Sequence, residues 1–229
     1  MHTPPALRTG ASIGLFAPAK RVLVEELSPA LLHIQQTGYT TVLGDNVYAQ
    51  AGFLAGTDAQ RAGDLNALLQ GRHTQALLAA RGGYGALRLL DRIDWAALQA
   101  RPQWLTGFSD LTVLQMAAAS QGVESLHAPV AIQLARPAYG EAWQRMQACW
   151  QGQAPIYTWP AGPAQPYQRK GGAIGRVLGG NLSLLNQLVG TPWLPDLSGA
   201  ILFIEDIDEY TYHLDRMLQH LRLAGVFDQ

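Results

Sequence analysis

Charge is scarce in this chain of 229 residues. Asp, Glu, Lys and Arg make up 14% of it, and 16 basic against 17 acidic residues leave a formal net charge of −1. Without a basic surplus there is no long-range field to gather a polyanion, which argues against nucleic acid as a partner. Cysteine is scarcer still. The single Cys149 has no internal disulfide partner and cannot build a Cys-rich zinc site, and a lone cysteine suits a reducing cytoplasm better than secretion. Long apolar runs are missing as well. The opening Met1-His2-Thr3-Pro4-Pro5-Ala6-Leu7-Arg8 is polar and broken by proline, without the charged start and apolar stretch of a signal peptide. No later segment approaches the roughly 20 uninterrupted apolar residues that cross a bilayer. These absences predict a cytoplasmic protein with no membrane partner. What is present is a hydrophobic share of 48%, enough to build a sizeable core.

Short apolar runs alternate with amphipathic ones through the first half, the pattern of strand-helix-strand units around a mainly parallel sheet, a Rossmann-like α/β arrangement. Strands are predicted at Ile13–Ala17, Tyr39–Leu43, Gln75–Ala80 and Trp104–Phe108, with a last one across Val123–Ile132 centred on Leu126 and Val130. Helices are predicted at Leu27–Thr37, from Thr57 to about Gln70, at Asp110–Ser120 and at Trp143–Trp150. Thr57-Asp58-Ala59-Gln60 has the form of a capping box. Prolines then crowd into Ala154–Pro166, so residues 1–152 read as an N-terminal domain, 153–170 as a linker and 171–229 as a smaller α+β domain. In that second domain Gly179-Gly180 leads into a helical stretch Asn181–Leu188, and a strand Ala200–Ile204 ends on Glu205. A helix carrying Leu214, Met217, Leu218 and Leu221 follows, capped by Gly225. The apolar pair Val226-Phe227 beyond the cap reads as the start of a strand, so this domain is expected to be incomplete.

Three constellations could carry chemistry. Ser109, in Gly107-Phe108-Ser109-Asp110-Leu111, falls on a strand-to-helix turn that resembles a nucleophile elbow, although Leu111 stands where G-x-S-x-G has its second glycine. The plain alternative is that Ser109 caps the following helix. Arg81-Gly82-Gly83-Tyr84-Gly85 offers free backbone N–H groups at the carboxyl end of the preceding strand, where one of them and the N–H of Asp110 could form an oxyanion hole. A phosphate cradle or a simple turn would look similar, but no Gly-Lys-Ser/Thr occurs and Arg88 stands where G-x-G-x-x-G has its last glycine, which disfavours a nucleotide site. Glu205-Asp206 with Asp208-Glu209 could orient a catalytic imidazole or form a solvated turn. No metal spacing is recognisable, since His213 is the nearest histidine to it. His127 could face the cleft, although a structural role is commoner for such a residue.

Taken together, Ala79-Ala80-Arg81-Gly82-Gly83-Tyr84-Gly85, Gly107-Phe108-Ser109-Asp110-Leu111-Thr112, Gly179-Gly180-Asn181-Leu182 and Ile204-Glu205-Asp206 followed by Tyr212-His213-Leu214-Asp215-Arg216-Met217-Leu218 resemble the LD-carboxypeptidases, or muramoyltetrapeptide carboxypeptidases, over nearly the whole chain. The resemblance implies a cytoplasmic serine peptidase, commonly a homodimer and without cofactor or metal. Such an enzyme removes the terminal D-alanine from murein tetrapeptides in cell-wall recycling. Relatives of that family cleave a peptide-nucleotide antibiotic instead. Carried over motif by motif, the resemblance makes Ser109 the nucleophile, Glu205 the residue that orients the base, and Gly83 with Asp110 the oxyanion donors. Arg81 and Tyr84 are candidates for contact with the substrate. The family's base histidine belongs to a later segment, so residues 1–229 are expected to lack it. The rival from another class is a cleft protein that binds a peptide or amino acid without chemistry. A carboxylate aimed at an imidazole, as expected of Glu205, argues against that rival.

Overall fold

The computed structural model describes residues 1–71, 73–158 and 171–228. Strands β1 (Ser12–Phe16), β2 (Thr40–Leu43), β3 (Thr74–Ala79), β4 (Trp104–Gly107) and β5 (Ser125–His127) form a wholly parallel sheet in the order β2-β1-β3-β4-β5. Helices α1 (Val24–Gln36), α2 (Asp58–Gln70), α3 (Trp95–Ala100), α4 (Thr112–Ser120), α5 (Ala131–Leu134) and α6 (Gly140–Trp150) flank it. Farther along, β6 (Val177–Asn181) and β7 (Ile201–Glu205) pair in parallel around α7 (Leu182–Leu188), and α8 (Thr211–Leu223) follows. The α/β class is as read from the sequence. The strand order is the flavodoxin-like variant of the doubly wound fold, whose direction reverses between β1 and β3. At that reversal the loops leaving the two strands diverge and open a crevice at their carboxyl ends.

Buried on both faces, the central strands are almost continuously apolar. Along β3, Leu77 and Ala79 enter one core cluster and Ala76 and Leu78 the other, as a side-chain period of two requires. The first cluster also takes in Leu178, Leu182, Leu185, Leu188, Leu197, Leu221 and Val226 beside Leu111, Val113 and Leu114 of the α4 region. The C-terminal elements therefore share a core with the helix layer that carries Ser109. The prolines Pro160, Pro163 and Pro166 of the linker reading lie outside the described residues. Among the described residues no helix is long and apolar enough to cross a membrane.

Several expectations need correction. The last strand of the sheet stops at His127, and Val130 is the residue before α5, because Pro129 has no N–H to continue a ladder. Gly179-Gly180 lies within β6 and does not merely precede α7. The reason is close packing: a Cβ on Gly179 would strike Phe203 O, and one on Gly180 would stand 2.6 Å from Thr112 Oγ1. Val226-Phe227 is not a strand. Val226–Asp228 is a turn of 3₁₀ helix closed by Asp228 N donating to Gly225 O, and Val226 is buried in the shared core. The α4 segment opens with a 3₁₀ turn, Ser109–Leu111, before α-helical geometry begins at Thr112.

The capping box holds as read. Thr57 Oγ1 accepts from Gln60 N at 3.2 Å, and Gln60 Oε1 accepts from Thr57 N at 2.9 Å. One turn on, Arg61 occupies a core-facing position of α2 and is 1% exposed. Its Nη1 donates to Pro18 O, in the loop after β1, and to Gly85 O, in the loop after β3, at 2.9 Å for the latter. Its Nη2 is ion-paired with Asp58, which also grips Arg88 through two nitrogens at 2.7–3.1 Å. Burial pushes the Arg61 pKa down and Asp58 pushes it back up; a guanidinium stays charged through such opposing shifts. One buried cation thus ties together the two loops that border the crevice.

Two stability measurements follow from this packing. Arg61→Met should lower unfolding stability by about 2–4 kcal/mol in urea titrations, because two buried carbonyls lose their donor. A loss under about 0.5 kcal/mol would show that the cation ties nothing. Gly180→Ala places a Cβ against Thr112 at φ +143° and should cost about 2–3 kcal/mol through overpacking and strain. An unchanged denaturation midpoint would contradict the packing of β6 on α4.

Candidate active site

Ser109 sits two residues beyond the end of β4 with φ +62°. A non-glycine residue in the left-handed region costs roughly 1–3 kcal/mol and persists only where the surroundings hold it. The hydroxyl does not cap the helix: neither the 3₁₀ turn nor α4 has a side-chain cap. Among the described residues Ser109 Oγ has no hydrogen-bond partner. The plain alternative of a capping serine therefore falls, and what remains is a half-buried, strained hydroxyl held above the sheet edge.

The glycine loop closes over it. A Cβ on Gly82 would lie 3.4 Å from Ser109 Cβ and 3.5 Å from Oγ, so the loop backbone passes about one methyl group away from the serine. Gly83 follows at φ +124°. Among the described residues the N–H groups of Gly83 and Asp110 donate to no acceptor, which leaves both available to an incoming oxyanion. The Asp110 side chain faces the other way and is 2% exposed. Its Oδ2 accepts from Ala86 N at 2.7 Å, fastening the far end of the glycine loop to the residue after Ser109. Burial raises the Asp110 pKa, opposed by the Ala86 N–H and the Arg61 charge.

Arg81 and Tyr84 flank the loop. Arg81 Nη1 pairs with Glu26 Oε1 at 2.8 Å. Glu26 also accepts from Leu23 N at 2.8 Å, and that bond, followed by Arg81, holds its carboxyl below the usual range against partial desolvation. The Tyr84 ring is 56% exposed and tilts against Phe53 at 5.8 Å.

Glu205 reaches this region through β6. Asn181 N donates to Thr112 Oγ1 at 3.0 Å, three residues after Ser109, and Asn181 is paired in register with Glu205. Glu205 Oε1 is buried without a partner among the described residues. Burial, and then the neighbouring Asp206, raise its pKa, and a hydrogen bond with Asn181 opposes them. An orphaned buried carboxylate oxygen calls for a donor that the described residues do not supply. Asp206 and Glu209 are engaged elsewhere. Asp206 accepts from Asn181 Nδ2, Ser183 N and Ile207 N at 2.8–3.2 Å. Glu209 holds His213 Nδ1 at 2.8 Å. Among the described residues no three His, Cys, Asp or Glu groups gather where a metal could bind.

His127 is paired in register with Gly107 at the end of β5, its ring 6.1 Å from Phe108 and 5.4 Å from Phe203. The packed side of the imidazole is desolvated, which pushes its pKa down. The ring lines a cleft of about 620 Å³ together with Gln115, Cys149, Arg176 and Phe203, and Ser109 is not on that wall. Burial raises the Cys149 thiol, as suits an inert structural cysteine. The structure thus brings Ser109 and Asp110 close to the Gly82-Gly83 turn, links Glu205 to them through Asn181 and Thr112, and places His127 on a cleft wall that does not include Ser109. Sequence reasoning missed Arg61. An arginine inside the apolar stripe Ala62, Leu65, Leu68 and Leu69 of α2 was the available signal.

Comparison with known proteins gives the family. Residues 13–128 match the LD-carboxypeptidase N-terminal domain and residues 174–229 the LD-carboxypeptidase C-terminal domain. A probable murein peptide carboxypeptidase of Bacillus subtilis is 34% identical over 98% of this chain and 71% of its own length. The crystal structure of a muramoyltetrapeptide carboxypeptidase from Oxalobacter formigenes superposes with a TM-score of 0.78 at 29% identity, covering 94% of this chain and 72% of that one. The microcin C7 self-immunity protein of Escherichia coli is 27% identical over 97% of this chain and 74% of its own length. On these matches and on the shared fold, the chain belongs to the LD-carboxypeptidase family of peptidases.

Proposed function

We propose that this chain carries the nucleophile and the base-orienting carboxylate of a serine-type LD-carboxypeptidase that hydrolyses the bond before the terminal D-alanine of a murein tetrapeptide. The observation that carries the reading is the Ser109 hydroxyl, unbonded on a residue strained at φ +62°, close to Gly82, with the N–H groups of Gly83 and Asp110 unengaged among the described residues. The names of the relatives supply the substrate class.

In this reading the Ser109 hydroxyl attacks the carbonyl carbon before D-alanine as its proton passes to an imidazole. The oxyanion accepts from Gly83 N and Asp110 N. The imidazolium then protonates the leaving amine, D-alanine departs, and water hydrolyses the acyl-enzyme by the reverse proton path. Glu205 is the carboxylate that holds the imidazole in the right tautomer and stabilises its charged form. Its unpartnered Oε1 supports that role. The family resemblance assigns the imidazole to a later histidine.

Two substitutions test the reading in the full-length product of the gene. Ser109→Ala should lower the rate of D-alanine release by at least about 10⁴-fold and leave the thermal midpoint nearly unchanged, since no capping bond is lost. Normal release by that variant rejects the nucleophile. Glu205→Gln keeps the shape but removes the charge that orients an imidazolium, and kcat should fall by roughly 10³- to 10⁴-fold. A variant within about threefold of the parent, under 1 kcal/mol in barrier, removes Glu205 from the mechanism.

A further inference from the structure

We infer that Lys20 is the counter-ion for the substrate's free terminal carboxylate, and that it restricts Ser109 to cleavage one residue from a chain end. The inference rests on the peptidase reading above and names the group that would make that peptidase a carboxypeptidase.

Lys20 follows β1, and the glycine loop follows β3, so the two face each other across the point where the strand order reverses. That is where open α/β sheets take their ligands. The contact is direct. A Cβ on Gly83 would lie 2.9 Å from Lys20 Cβ and 3.7 Å from Lys20 Cδ, so the lysine stem lies along Gly83 while Gly82, one residue earlier, lies against Ser109. The root of the side chain is anchored: Ala55 N donates to Ala19 O and Arg21 N to Phe53 O, both at 3.0 Å. The residue itself is exposed. A fixed root with an exposed head suits an ammonium that must close on a ligand.

Charge balance singles out this cation. Of the other cations touching the loop or its supports, Arg61 and Arg88 share Asp58, and Arg81 is paired with Glu26. Lys20 has no carboxylate within 4.0 Å among the described residues and acts on Glu26 only at longer range. It is therefore the unneutralised charge beside the proposed oxyanion N–H. A peptide whose scissile carbonyl lies between Ser109 and Gly83 carries its terminal carboxylate one residue beyond, on the side where the Lys20 stem runs. A cation there binds the acid and gives nothing to an internal peptide bond or an amide.

The test uses the full-length gene product, a tetrapeptide ending in an L,D bond to D-alanine, and the same peptide ending in D-alaninamide. Lys20→Met should raise KM for the acid by about 10- to 100-fold, the worth of a charge-assisted hydrogen bond, with kcat within about threefold. The amide should be unaffected, and Lys20→Arg should restore most of the preference for the acid. Calorimetric binding of both peptides to the Ser109→Ala protein puts the same question without turnover. The acid should bind at least about 10-fold more tightly than the amide, and Lys20→Met should erase the difference. Acid preference that survives Lys20→Met, or equal binding of acid and amide, overturns the assignment. Lys20-dependent binding of the acid with no D-alanine release by the parent protein upholds the assignment and sinks the peptidase reading alone.

Discussion

The site depends on one buried guanidinium. Arg61 holds the carbonyls of Pro18 and Gly85, so the loops leaving β1 and β3 are fixed to each other and to α2. Asp58 keeps that cation paired while also gripping Arg88, and Asp110 fastens Ala86 to the residue after Ser109. Removing charge from water is costly unless it is paired; both Arg61 Nη atoms are paired, while its buried Nε has no partner among the described residues. What that pairing holds in place is a glycine loop close to a strained serine. Loop N–H groups serve as oxyanion donors only if they are in place before charge develops.

The second half of the site arrives by a different device. The two glycines of β6 let that strand approach both β7 and the start of α4 with no side chain between, and Thr112 Oγ1 receives Asn181 N. Glu205 is thereby held one strand away from the serine's own helix. The shared apolar cluster makes this approach rigid, because the residues that bury α7 and α8 are packed with Leu111 and Leu114. Asn181 is an organising centre of its own. Its Oδ1 accepts from Ser183 Oγ and Leu184 N, and its Nδ2 donates to Asp206, which occupies the neighbouring acid and leaves Glu205 as the one with an unbonded oxygen.

Much of this was readable from local chemistry. The Thr57–Gln60 box, the apolar run of β3, the glycine loop and the serine after β4 each declare themselves within a few residues, because caps, buried parallel strands and tight turns are short-range features. The role of Arg61 was not readable, since its partners Pro18 and Gly85 meet it only in the folded chain. Gly179-Gly180 belongs in β6 because of the nearness of Phe203 and Thr112, which the local sequence, with its lead into a helical stretch, does not display. Val226 was read as extended because it is apolar and follows a cap, whereas the buried surface beneath α8 draws it into a turn. For Ser109 the sequence left capping and catalysis open, and the absence of a capping bond removes the first.

The central claim is that Ser109 forms a covalent bond to its substrate under a preset pair of N–H donors. The most direct measurement is rapid acid quench of the full-length gene product during turnover of an L,D-tetrapeptide, with peptide mapping by mass spectrometry. The account predicts a tripeptidyl increment on the peptide that contains Ser109, its mass equal to the substrate less D-alanine. Free D-alanine accumulating with no increment at Ser109, or with the increment on another residue, would contradict it.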